Sequence, residues 1–226
     1  MLNWQHYRDW KEAAMMMLSR EEEEQLVARS QRGDVSAFNH LVQHYQQIVY
    51  RTVYRILGNP DVAADITQDT FFAAFRNIQS FRGGTPLRPW LLRIGSNLAC
   101  DHWRRVQRHP SESLDSLEDE DEPHQAGLLG SLATTASTSD PEECLLSREL
   151  QDLLQRGLQQ LSLDQRTAVI LCDIEGLSYD EVATATRTTL GTVRSRIARG
   201  RARLRNYLYQ HRELLPRDYR LTGSSE

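Results

Sequence analysis

Apolar residues recur at helical spacing through most of the chain, and the interruptions between them are capping residues, glycines and prolines. Phe38, Leu41, Val42, Tyr45, Ile48, Val49, Val53 and Ile56 mark one face of a long helix, opened by Asp34 and ended at Gly58-Asn59-Pro60. Before it, the acidic run Glu21 to Glu24 leads into a shorter helix through Gln31, stopped by Gly33. After it, a helix from Asp61 to Ser80 turns Thr67, Phe71, Ala74, Phe75 and Ile78 inward. Beyond the Gly83-Gly84-Thr85-Pro86 loop, a further helix from near Pro89 to Arg108 buries Leu91, Ile94 and Leu98. Periodicity resumes at Asp140-Pro141-Glu142-Glu143, which supplies an N-cap, a first-turn proline and two acids suited to the helix dipole. The helix it opens carries Leu146, Leu150, Leu153, Leu154, Leu158 and Leu161. Ser162 with Gln165 reads as a capping box for a helix bearing Ala168, Val169, Leu171 and Cys172, which stops at Gly176. No segment alternates like a strand, so the expected fold is all-α.

The most informative pattern lies between Gly176 and Leu204. Ser178 and Glu181 form a capping box, so a short helix starts at Tyr179 and runs into a polar turn at Thr186 to Thr189. A second helix follows from Leu190 to Tyr207. Two helices joined this way read as a helix-turn-helix, whose second helix enters the major groove of DNA. Leu190, Val193, Ile197 and Leu204 share one narrow stripe, and Thr192, Ser195 and Arg199 point the opposite way. Arg194, Arg201 and Arg205 line one flank, and Arg196 and Arg203 the other, placed to reach the two phosphate walls. From Val182 through Arg212 there is no acidic residue, whereas a solvated surface helix ordinarily mixes both signs.

Charge distribution strengthens that reading. The net charge of −4 conceals two basic stretches: residues 35–108 carry 9 Lys and Arg against 4 acids, and residues 148–212 carry 11 against 7. Between them, residues 109–147 have 10 acids and no base, with a Ser/Thr/Gly-rich composition that reads as a flexible linker. Fully extended, those 39 residues reach about 130 Å; relaxed, about 35 Å. Two positive bodies on a negative strap suit a nucleic-acid binder. Length and composition otherwise fit a soluble protein of one large or two small domains. No apolar run is long enough to span a membrane, and Arg8, Asp9, Lys11 and Glu12 make the N-terminus unlike a secretory signal, so cytoplasmic residence without membrane insertion is expected. Residues 1–20, with Trp4, Tyr7, Trp10 and Met15 to Met17, suggest a short amphipathic helix with no evident docking site. Cys100, Cys144 and Cys172 fit neither a disulfide framework nor a zinc site, and His40 with His44 lacks a third ligand. No metal or other cofactor is expected.

Two further faces carry candidate chemistry. On the Asp61–Ser80 helix, Asp65, Gln68, Asp69, Phe72 and Arg76 form a second stripe, an aromatic ring among polar groups, which is how partner-docking surfaces are built. From Arg82 to Arg108, six arginines face one acid, Asp101, with Phe81, Trp90 and Trp103 interleaved. Such a track suits phosphates and unpaired bases, although each tryptophan is better read as core. A Gly-rich phosphate loop, a nucleophilic triad and a metal cluster are all lacking, so the chain is not expected to be an enzyme.

At this point the residues resemble a known family. RGDVSAFNHLVQHYQ, the DITQDTF helix, SFRGG followed by PWLLRIGSNLACDHWRR, and GLSYDEVATATRTTLGTVRSRIARGRARLR occur in the order found in bacterial RNA polymerase sigma factors of the extracytoplasmic-function (ECF) group. The likeness covers residues 23–108 and 143–209. It implies two small helical domains, a sigma region 2 bundle and a sigma region 4 helix-turn-helix, joined by the acidic linker. The expected division is an N-terminal extension 1–22, region 2 at 23–108, linker at 109–139, region 4 at 140–212 and a tail at 213–226.

The same resemblance implies partners and roles. Asp65, Gln68, Asp69 and Phe72 match the face that docks on the β′ clamp helices of core RNA polymerase, with the β subunit as a further contact. The stretch after SFRG opens the minus-ten element and holds an extruded base; Asn97 matches the pocket position, with Arg93 and the Arg104-Arg105 pair nearby. Thr192, Arg194, Ser195 and Arg199 match positions that read or grip the minus-thirty-five element, flanked by Arg196 and Arg203. Ala198, where some relatives carry a bulky residue, and the composition of the 83–87 loop point to a promoter sequence of the protein's own. An anti-sigma partner is also implied. The acidic strap is expected to lie in a basic polymerase channel or to shield the arginine faces. A stand-alone helix-turn-helix regulator is the competing reading, and a protein-interaction adaptor a third. Neither needs both the Asp65–Arg76 face and a basic track.

Overall fold

The computed structural model describes residues 18–108 and 141–214, with the backbone alone for 141–148. Among the described residues every regular element is helical. The expectations for residues 1–17, the linker, the Asp140 cap, Cys144, Leu146 and the tail lie outside that description.

Four helices build the N-terminal body: α1 (Arg20–Gln31), α2 (Val35–Leu57), α3 (Pro60–Asn77), a 3₁₀ turn at Ile78–Ser80, and α4 (Leu87–Arg108). Local chemistry sets their ends. Ser19 and Glu22 close a capping box on α1, Asp34 accepts from Ala37 N–H at the start of α2, and Asn59 caps α3 with Pro60 in its first turn. Gly58 ends α2 in the left-handed region at φ 81°, where a side chain would also collide with Gln159. Leu41, Val49, Val53 and Ile56 of α2 are buried almost completely against Ala63, Ile66, Phe71, Ala74 and Leu91.

The C-terminal body comprises α5 (Pro141–Gln159), α6 (Leu163–Val169), a π-helical turn at Ile170–Ile174, α7 (Tyr179–Thr186) and α8 (Leu190–Gln210). The Ser162–Gln165 capping box does not form: Ser162 stands at the N-cap without a side-chain bond, and the side-chain oxygen Oε1 of Gln165 is buried without a hydrogen-bond partner. The π turn shows in the Glu175 N–H, which bonds the Ile170 carbonyl at 2.9 Å instead of the residue four back. Two residues expected inside stand at the surface, Phe75 and Leu154, each 37% exposed. Phe75 still leans on Phe38 with ring centroids 4.9 Å apart, so its helix face sits at the margin of the core.

The two bodies pack against each other. Leu92 of α4, 1% exposed, sits in the core made by Ala168, Leu171, Leu177, Val182, Ala185, Val193 and Ile197. Conversely, Leu158, Leu161, Leu163, Val169 and Ile170 join the core of the N-terminal body. Polar groups complete the seam. In the last turn of α2 the Tyr54 carbonyl takes the Gly58 N–H at 2.7 Å, and the other body supplies further donors. Arg166 Nη1 donates to the Ile56 carbonyl at 2.6 Å, and Gln155 Nε2 to those of Tyr54 and Arg55 at 3.3 and 3.4 Å. Arg166 also donates to Leu158, Gln159 and Leu161 carbonyls at 2.9 to 3.1 Å, so one buried guanidinium caps the ends of two helices from different bodies. Its burial pulls the guanidinium pKa down, and the four carbonyls hold the charge in place.

Candidate nucleic-acid and polymerase interfaces

The helix-turn-helix is formed as its capping residues require. Ser178 N–H donates to Glu181 Oε2 at 2.8 Å while Glu181 N–H donates back to Ser178 Oγ at 3.3 Å. The turn passes through Arg187 at φ 52°, a left-handed position that lets the Thr188 N–H reach the Ala183 carbonyl at 3.0 Å. Thr189 then caps α8 by accepting from Thr192 N–H at 3.3 Å. Val193 and Ile197 are buried, and Arg194, Arg199 and Arg203 are exposed. Thr192 and Ser195 are half-buried; the Thr192 hydroxyl lies 2.9 Å from that of Thr189, and Ser195 Oγ donates to the Thr192 carbonyl. The N-terminus of α8 thus presents unpaired N–H groups and short hydroxyls, with guanidinium groups behind them.

On α4, Arg93 and Asn97, one turn apart, are half-exposed, and Arg104 and Arg105, about two turns further on, are exposed. Arg105 Nη2 lies 3.3 Å from His102 Nδ1. The imidazole pKa is lowered, first by partial burial and then by that cation. Trp90 and Trp103 pack against the core, as their structural reading anticipates, Trp90 tilting onto Phe81 with centroids 5.3 Å apart. On α3, Asp65, Gln68, Asp69, Phe72 and Arg76 are all exposed, and Phe72 leaves 57% of its surface open.

Two carboxylates that the sequence pattern did not single out tie these faces together. Asp164 of α6 holds Arg196 of α8 through Oδ2 and stands 3.5 Å from Arg104 of α4 through Oδ1. Glu175, 6% exposed, receives Arg55 Nη1 at 3.2 Å and Arg88 Nη2 at 2.6 Å, both from the N-terminal body. Arg201 forks onto Asp173 at 2.9 and 2.5 Å within its own body, which raises its pKa further. A signal for Glu175 was available: it directly follows VILCDI, a stretch apolar except for Asp173, and an acid buried there needs a cation.

Comparison with known proteins settles the family. The family description Sigma-70 region 2 matches residues 41–109, and Sigma-70, region 4 matches residues 151–204. The chain is 37% identical over 185 residues to the RNA polymerase sigma-H factor of Pseudomonas aeruginosa, covering 82% of this chain and 93% of that protein. It belongs to the ECF group of RNA polymerase sigma factors. The ECF sigma-E factor of Escherichia coli is 38% identical over 182 residues, 80% of this chain and 91% of that one. The ECF factor SigE of Mycolicibacterium smegmatis is 40% identical over 184 residues, 81% of this chain and 66% of that protein. Among solved structures, the sigma factor RpoE bound to the anti-sigma factor NepR from Bartonella quintana aligns with TM-score 0.53 at 26% identity, covering 76% of this chain and 96% of that one. CnrH in complex with the cytosolic domain of CnrY aligns with TM-score 0.54 at 25% identity, covering 83% and 97%. As a sigma factor the protein recognises promoters in partnership with core RNA polymerase, and its family is a non-catalytic class of initiation factors. Among the described residues no helix is long and apolar enough to cross a membrane, and no cluster of side chains could hold a metal ion.

Proposed function

We propose that this sigma factor works through three separate faces and a change in how its two bodies sit together. The α3 face of Asp65, Gln68, Asp69 and Phe72 docks on the β′ clamp helices, the exposed ring supplying apolar area and the polar groups its orientation. On α4, Asn97 receives the extruded base of the minus-ten element, while Arg93, Arg104 and Arg105 hold the backbone around it. The α8 tip reads the minus-thirty-five element with Thr192, Arg194, Ser195 and Arg199, and Arg196 and Arg203 take phosphates. Residues 23–108 and 140–212 are the two working domains. Strand opening comes from capture of unpaired bases, which offsets unstacking of a few kcal/mol per step, so the chain itself performs no hydrolysis and no catalysis. Its place of work is the cytoplasm, and an anti-sigma protein is its regulator, in line with the sigma factor bound to an anti-sigma factor that it resembles.

One observation carries the conformational part: a single carboxylate, Asp164, holds Arg104 and Arg196, one arginine from each DNA-binding face. The two promoter elements lie about 25 base pairs apart, roughly 85 Å of duplex. A chain in which both faces meet at one aspartate cannot span that distance. The described arrangement is therefore a closed form, and engagement of a promoter requires the bodies to part, with the acidic segment as tether.

Initiation from promoter DNA by purified core polymerase, with and without the chain, tests the reading. Added initiation supports it. Sequence-specific duplex binding with no initiation would favour the stand-alone regulator instead.

A further inference from the structure

Helix α1 lies outside the residues matched to region 2, and none of the roles above uses it. Its polar side chains nevertheless converge on one segment, Ile78 to Leu87. Gln31 Nε2 donates to the carbonyls of Ile78 and Phe81 at 3.0 and 2.9 Å, and Gln79 Nε2 returns a bond to the Gln31 carbonyl. Arg20 Nη2 donates to the Gly84 carbonyl at 3.0 Å. Glu23, a carboxylate only 9% exposed, takes the Leu87 N–H on Oε1 at 3.0 Å and the Tyr45 hydroxyl on Oε2. That last pair explains the raised Tyr45 pKa: burial dominates, and the neighbouring carboxylate adds to it.

The geometry fits a splint. Leu87 is the first residue of α4, where N–H groups lack helical partners and the dipole is positive, so Glu23 supplies both an acceptor and the matching charge. Between the anchored ends, Arg82, Gly83, Gly84, Thr85 and Pro86 are all exposed. The side-chain bond from Thr85 Oγ1 to the Arg82 carbonyl is long at 3.4 Å. Two adjacent glycines make such a loop costly to order, with Gly84 itself at φ 87°. Rigidity has to come from outside, and α1 provides it at both ends and near the apex.

We infer that Arg20, Glu23 and Gln31 are positioning residues for minus-ten selection: they fix the shape of the 82–86 loop, and thereby which base fits beside α4. The inference rests on the assignment of this loop and α4 to the minus-ten element. Pre-ordering the loop removes a cost otherwise incurred on binding, and it removes it only for the base that the fixed shape accepts.

The test uses full-length chain with core polymerase and two promoter libraries, one randomised across the minus-ten element and the other across the minus-thirty-five, each read by sequencing the transcripts. The variants are Arg20→Ala, Glu23→Gln and Glu23→Ala. Arg20 is 72% exposed in its side chain, so its removal leaves the core intact, and Glu23→Gln keeps an oxygen for Leu87 N–H without the charge. The expected result is a minus-ten preference flattened by roughly tenfold in Arg20→Ala and Glu23→Ala, the scale of one base contact, and less in Glu23→Gln. Minus-thirty-five preferences and polymerase affinity should stay at wild-type values. Arg20→Ala and Glu23→Gln proteins with wild-type minus-ten preferences would overturn the inference, as would equal losses in both libraries. If the wild type itself selects no minus-ten sequence, the assignment of α4 fails and takes the inference with it. Should Glu23→Ala not fold, the other two variants still decide the question.

Discussion

Replacing Glu175 with alanine should open the molecule. The carboxylate is 6% exposed and joins the bodies through Arg55 at 3.2 Å and Arg88 at 2.6 Å. Breaking one partner from a fully buried pair costs about 3–5 kcal/mol, and a charge-assisted hydrogen bond is worth about 1.5–3 kcal/mol. Here the arginine side chains remain 21% and 33% exposed, so water recovers part of the loss. A net cost near 2–3 kcal/mol is the reasonable figure, which corresponds to a shift of roughly 30-fold to 150-fold towards separated bodies. The loss should fall on docking and spare folding, since the Glu175 N–H bond to Ile170 is untouched and both lost partners belong to the other body. Energy transfer between dyes on α3 and α7 reads the separation directly. Binding of a single-stranded minus-ten element, measured alongside, should tighten as Arg104 leaves Asp164. A transfer efficiency unchanged in Glu175→Ala, with the helical content of the wild type, would refute the reasoning: the ion pair would then contribute nothing to closure.

Three other outcomes follow from the described surfaces. Arg199→Ala should weaken minus-thirty-five recognition by about 1–3 kcal/mol; titrations against matched and mismatched duplexes check this, and equal losses on all sequences would reduce Arg199 to a phosphate contact. Phe72→Ala, at a ring 57% exposed, should leave thermal stability within about 0.5 kcal/mol while lowering core-polymerase affinity by about 2 kcal/mol or more, as read by a competition assay. His44 and His102 both have pKa values lowered chiefly by burial, opposed by Glu23 at the first and reinforced by Arg105 at the second. The unfolded chain therefore binds more protons just below the ordinary histidine pKa of about 6.5, so stability should fall as pH drops through that window. A melting temperature that is flat there, or a drop that survives His44→Gln with His102→Gln, would contradict it.

The helices and their ends were legible because each rests on a local rule. Asp34, Asn59, Ser178 and Thr189 cap where short polar side chains should, and Gly58 takes the left-handed position that closes α2. The exposed Phe72 stripe was readable for the same reason, since helical spacing alone puts it opposite the buried Thr67 and Phe71. What the pattern did not reveal is long-range. Leu92 and Cys100 of α4 are buried where periodicity cannot assign a partner, because what they meet, the C-terminal core and the Thr167 hydroxyl, lies beyond the acidic segment. Arg166 lies in no motif of the sequence, yet it is 4% exposed and serves four carbonyls. Ser162–Gln165 has the spacing of a capping box without the bonds, since Gln165 is drawn under Gly200 instead.

The closed form also changes the meaning of the charge pattern. Counted along the chain, the basic stretches look available to nucleic acid and the acids look confined to the strap. In three dimensions acids outside the strap meet arginines too: Asp164 accepts from Arg196 and stands 3.5 Å from Arg104, and Glu175 accepts from Arg55 and Arg88. A promoter competes for Arg104 at the polar edge of the seam, while parting the bodies also exposes the apolar contacts around Leu92 and Leu158. One aspartate serves both bodies only while they touch, whereas phosphates are spaced along the whole duplex. On the proposed docking, seating the α3 face on polymerase would leave the seam around Glu175 untouched and hold one body in place while the promoter draws the other away.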